Sequence, residues 1–118
     1  MKKPPEIDER YAAPDAADVR LSVRVGDGQI GLIRVFIGPT LKVSAPNVIG
    51  RLLVGTGASL RGQTVRVRTT VNDVLAQTNK MSVSYGLEGG AQPLDVSHDG
   101  EVDADGDMLL FKAAFRMA

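Results

Sequence analysis

The sequence predicts an all-β protein: an antiparallel β-sandwich of about seven to eight short strands, preceded by an extended N-terminal arm. Three observations predict it. Apolar residues recur with period two in segment after segment, as half-buried strands require. Gly, Pro, Asn and Asp punctuate the chain between those segments. No stretch carries a long apolar stripe at the helical period. A small β-barrel is the alternative arrangement of the same strands.

Residues 1–18 contain Pro4, Pro5 and Pro14, many charges and few large apolar groups. Alone, such a segment is a flexible arm. Ile7 and Tyr11 are its expected anchors, on its own domain or on a neighbouring copy. Residues 19–118 are expected to form one domain, and 118 residues suit a single core.

In VRLSVRV, Val19, Leu21, Val23 and Val25 alternate with Arg20, Ser22 and Arg24, giving a strand with a basic outer face. Gly26-Asp27-Gly28 signals a hairpin turn. IGLIRVFI, Ile30 to Ile37, follows as a second strand that alternates less cleanly, and Gly38-Pro39 stops it. Leu41 to Val43 reads as a short edge strand before Pro46. Arg51 to Val54 is a continuous apolar run. Gln63 to Val71 alternates well, with Val65, Val67, Thr69 and Val71 on one side and Arg66 and Arg68 on the other. Asn72 to Lys80 is a polar connection. Met81, Val83, Tyr85 and Leu87 mark the next strand. Leu94–Ser97 and Glu101–Asp103 are expected to pair across an Asp99-Gly100 turn. The last segment, MLLFKAAFRM, sets Leu109, Phe111, Ala113, Phe115 and Met117 on one side.

Composition removes several function classes. There is no Cys, so disulfides, thiolate metal sites and cysteine nucleophiles are excluded. No apolar run is long enough to span a membrane as a helix. The two N-terminal lysines have no apolar segment behind them, so no secretory signal is read and the cytoplasm is the expected location. Net charge is zero but unevenly spread. Met1–Asp18 carries −2, Val19–Asn72 carries +7 and Asp73–Ala118 carries −5. A bipolar molecule of this kind can meet its own copies through opposite surfaces.

Chemistry-bearing motifs are few. DVSHDGEVDADGD, Asp95 to Asp107, matches the first half of an EF-hand loop, but Gly106 stands where the bidentate Glu belongs and no helices flank it. Asp99, Asp103, Asp105 and Asp107 remain the candidate calcium ligands of a site between sandwich loops. Otherwise the stretch forms two hairpin turns, HDGE and ADGD, with solvated carboxylates. GTGASLRGQT approximates a phosphate-binding loop, but Gln63 replaces the lysine and a strand pattern follows instead of a helix. His98, the only histidine, is expected in an exposed turn. It cannot form a triad with its sequence neighbours, because such groups must converge in space. Two Tyr, three Phe and no Trp give little with which to line a sugar cleft.

Arg20, Arg24, Arg66 and Arg68 form the most notable polar set, expected as arginine ladders on the solvent side of one sheet. Arginine forks suit carboxylates and phosphates. No aromatic interleaves with these four, so the set does not read as a nucleic-acid surface. The leading expectation is a non-catalytic β-sandwich interaction or structural module. It would have protein partners and self-associate through charged surfaces and the arm, with no cofactor. The alternative is a calcium-dependent ligand-binding sandwich using residues 95–107.

Overall fold

The computed structural model describes all residues from Met1 to Ala118. Nine strands form two packed sheets: β1 (Ile7–Tyr11), β2 (Asp18–Val25), β3 (Ile30–Ile37), β4 (Thr40–Pro46), β5 (Val48–Thr56), β6 (Thr64–Asn72), β7 (Lys80–Glu88), β8 (Leu94–Glu101) and β9 (Met108–Met117). One sheet runs β1-β9-β6-β3-β4, the other β5-β2-β7-β8. Both sheets are open, so the arrangement is a sandwich and not a barrel. Every pairing is antiparallel except β1 with β9, which is parallel.

Alternation explains the core. Val65, Val67, Thr69 and Val71 of β6 face Val19, Leu21 and Val23 of β2 and Met81, Val83, Tyr85 and Leu87 of β7 across the interior, and all are buried. Phe111 and Phe115 of β9 are the largest fully buried side chains. The Arg51–Val54 run has a local cause. Ser22 stands opposite two residues, Gly50 and Arg51, because Leu21 pairs Leu52 while Val23 pairs Ile49. This bulge puts Arg51 in the left-handed region at φ 46°, and its amide donates to Ser22 Oγ at 3.0 Å.

One expectation about the strands is corrected. Leu94–Ser97 and Glu101–Asp103 do not form a hairpin. One strand, β8, runs through Asp99 and Gly100, because β7 pairs with it from Leu87↔Leu94 to Lys80↔Glu101. Of the two expected turns only Ala104–Asp107 exists, with Gly106 at φ 87°. The arm is held by its own chain, one of the two arrangements expected of it. Its Lys2 makes an antiparallel bridge to Glu101 at the β8 edge, and Ile7–Tyr11 then adds to β9 of the other sheet. It therefore straps one open side of the sandwich, with Tyr11 buried and Ile7 packed on the core, as their role as anchors requires.

The segment after β5 makes one helical turn, α1 (Gly57–Leu60), capped reciprocally by Thr56 and Ser59. Gly57 lies where an added Cβ would come within 2.0 Å of the Pro14 carbonyl oxygen. At Gly50 nothing lies within 4 Å of the same atom. Gly57→Ala is therefore expected to cost about 1–3 kcal/mol of stability through overpacking. Gly50→Ala should change it by less than about 0.5 kcal/mol. Urea denaturation of the two variants checks this contrast.

Candidate interaction surface

The two outer sheet faces carry the surface chemistry, and alternation places each residue on them. On the four-stranded sheet, β2 turns out Arg20, Ser22 and Arg24, β7 turns out Ser82, Ser84, Gly86 and Glu88, and β8 turns out Asp95, Ser97, Asp99 and Glu101. Register aligns Ser22 with Gly86 and Asp95, and Arg24 with Ser84 and Ser97. The face is thus banded: a basic strand, a strand of small residues, an acidic strand.

The five-stranded sheet is organised differently, in rows across its strands. Arg34 aligns with Arg68 and Lys112, and Phe36 with Arg66 and Ala114. The Arg68 guanidinium carbon lies 5.9 Å from the Phe36 ring centroid, within cation–π range. Towards the Ala104–Asp107 turn the rows become apolar. Leu32 aligns with Thr70 and Leu110, and Ile30 with Asn72 and Met108. Ile30, Leu32, Leu110 and Met108 are 46%, 37%, 45% and 59% exposed. Ile30, Leu32, Arg34, Thr70 and Met108 help line a shallow groove of about 440 Å³.

The four arginines of the sequence reading are therefore not one set. Arg20 and Arg24 lie on one outer face, Arg66 and Arg68 on the opposite one, because β2 and β6 belong to different sheets. Arg34, Lys112, Phe36 and the exposed apolar residues were missed as site residues. Their signal was the imperfect alternation of IGLIRVFI and MLLFK, which places large apolar groups on both sides of a strand.

Charge pairing within the chain is sparse. The ion pairs are Met1 amine–Asp103 (2.7 Å), Lys2–Asp99 (3.4 Å), Arg51–Glu88 (2.5 Å), Lys112–Glu6 (3.7 Å), Arg116–Asp8 (2.9 Å) and Arg61–Asp15. None uses Arg20, Arg24, Arg34, Arg66 or Arg68, and none uses Asp95, Glu101 or Asp105. The candidate calcium ligands are dispersed. Asp99 lies on β8 beside Lys2, Asp103 meets the N-terminal amine, and Asp107 Oδ2 accepts from the Ala104 amide at 3.2 Å. No three His, Asp or Glu side chains gather into a group able to hold a metal.

His98 overturns the expectation of an exposed turn histidine. It sits on β8 facing inward and is 5% exposed. Its Nδ1–H donates to the Pro5 carbonyl at 2.7 Å, because a carbonyl can only accept. Nε2 is then bare and accepts from the Tyr85 hydroxyl at 2.8 Å. The ring also packs edge-on against Phe111, with centroids 4.9 Å apart. Burial lowers the His98 pKa, against smaller opposing effects of the Pro5 hydrogen bond and Asp99. Burial also raises the Tyr85 pKa. The neutral ring is thus the one the fold accommodates.

The sign of the pH effect follows. A histidine with a lowered folded pKa binds fewer protons in the native than in the unfolded chain as pH falls through the unfolded value of about 6.5. Stability is expected to fall from about pH 7.5 to about pH 5.5, above the range where ordinary carboxylates titrate. His98→Gln, which keeps one donor and one acceptor, should flatten that slope while lowering stability at neutral pH. Thermal melts of both proteins across this range measure it. No protein-family model matches this chain, and no curated protein or solved structure matches it.

Proposed function

We propose that the chain is a non-catalytic protein-interaction module that associates with copies of itself through its charged sheet faces. One observation carries this reading: several arginines and carboxylates of the two outer faces are left unpaired within the chain. Arg20, Arg24, Arg66 and Arg68 have no carboxylate partner, while Asp95, Glu101 and Asp105 have no cation. A formal net charge of zero removes the overall repulsion that would keep copies apart. The only histidine is committed to Pro5 and Tyr85, so it is not offered to a substrate as a base.

The arm enters this reading as an internal strap. It pairs with β8 and β9 at the sheet edges, where Lys2, Glu6 and Asp8 engage Asp99, Lys112 and Arg116. The expected outcome is a mass that rises above one chain between micromolar and submillimolar protein. The rise should weaken as salt is raised, because exposed charge pairs are screened beyond a Debye length of about 10 Å at 0.1 M. Sedimentation equilibrium across that concentration range tests it. A single-chain mass throughout, at low salt, removes the reading.

A further inference from the structure

We propose that the outer face of the five-stranded sheet docks onto the same face of a second copy. The two-fold axis runs across the strands at the level of Leu32 and Leu110. The proposal rests on the self-association reading above and names its surface. Register fixes the order of rows along the face: the Ala104–Asp107 turn, then Ile30/Met108, then Leu32/Leu110, then Arg34/Arg68/Lys112, then Phe36/Arg66.

A two-fold contact lays each row on the row equally far from the axis. Leu32 and Leu110 meet their own copies. Ile30 and Met108 meet the row of Arg34, Arg68 and Lys112, whose aliphatic stems can cover apolar surface while their charged heads stay wet. The acidic turn meets the row of Arg66, whose own carboxylate, Asp8 of β1, is committed to Arg116. Asp105 and Asp107 precede Leu110 in sequence about as far as Ala114, the register partner of Arg66, follows it. One operation thus lays Leu32 and Leu110 on their own copies, Ile30 and Met108 on the stems of a basic row, and the acidic turn on the Arg66 row.

Apolar residues with Met, an aromatic and arginines are what the centre of a protein interface favours. Size also suffices. The molecule measures 47 × 21 × 20 Å, so a broad face can supply the roughly 800 Å² per partner of a standard contact. The four-stranded sheet is less suited. Its centre is Ser22, Ser84 and Gly86, and its exposed apolar groups, Val48 and Leu53, sit on the edge strand β5.

Sedimentation of variants tests the surface. Leu32→Glu with Leu110→Glu should leave a monomer at concentrations where the wild type is dimeric. Arg66→Glu should raise the dissociation constant by about tenfold, and adding Asp105→Arg to the same chain should restore it, since the axis places both halves of each pair in one sequence. Arg20→Glu with Arg24→Glu should leave the dimer unchanged. Methyl resonances of Leu32 and Leu110 in the wild type should shift on dilution, which needs no variant to fold. Association that survives the leucine substitutions, or methyls that do not move while the mass falls, overturns this surface and leaves self-association standing. A wild type that is monomeric throughout ends both.

Discussion

His98 joins three parts of the molecule that have no covalent reason to stay together. Its Nδ1–H holds Pro5 of the arm, its Nε2 holds Tyr85 of β7, and its ring packs on Phe111 of the opposite sheet. Tyr85 in turn meets Phe115 edge-on, with centroids 5.8 Å apart. A sandwich whose sheets end at β8 and β9 would leave a seam on that side, and the arm closes it. The arm contributes few apolar side chains, so its hold depends on backbone pairing at Lys2 and Ile7–Tyr11 and on this node. Tyr11 completes the strap at its far end, where its hydroxyl accepts from the Gly90 amide at 2.8 Å. Both ring nitrogens are partnered, and burial is what disfavours the charged ring here.

A second polar knot lies around Gln29 and Asp73 at the Lys80 end of β7, and it is less completely partnered, since Asp73 Oδ2 is buried with no hydrogen-bond partner. Gln29 Nε2 donates to Asp73 Oδ1 at 2.9 Å and to the Lys80 carbonyl at 3.1 Å, while its Oε1 accepts from the Val74 amide at 2.8 Å. Asp73 also ties the Ala104–Asp107 turn, its carbonyl accepting from Gly106 and its amide donating to the Asp107 carbonyl. The position of the acidic turn beside Met108 is therefore imposed by buried groups. The turn is held in place relative to the apolar rows, and its carboxylates are presented rather than free to wander.

Strands were legible wherever one face is buried and the other wet. β2, β6, β7 and β9 alternate so clearly that their inward residues could be named from the sequence. Alternation says which way a side chain points, but not which sheet its strand joins. Arg20 and Arg66 look equivalent in sequence, and only long-range pairing sends them to opposite faces. Asp99-Gly100 misled for a related reason. A strong local turn signal lost to a long partner strand on one side and to Lys2 on the other, which together satisfy the backbone through Glu101. Once β8 is continuous, His98 must face inward with Val96 and Gly100, while Asp95, Ser97 and Asp99 face out. The buried histidine was thus hidden by one wrong turn and not by its own chemistry.

The unpaired arginines need a physical argument beyond their being unpaired. An exposed guanidinium is well solvated, and an exposed ion pair contributes only about 0–1 kcal/mol. Charge alone would therefore leave the banded face of the smaller sheet without a strong preference for contact. The larger sheet differs because its arginine rows adjoin two rows of exposed large apolar residues, whose removal from water is favourable at about 25 cal/mol per Å². In the contact proposed above, the apolar rows would provide attraction, and the arginines, with the fixed acidic turn, would provide register and orientation. The same division holds inside the molecule: Val, Leu and Phe supply the core's cohesion, while His98 and Gln29 set where its loose segments lie.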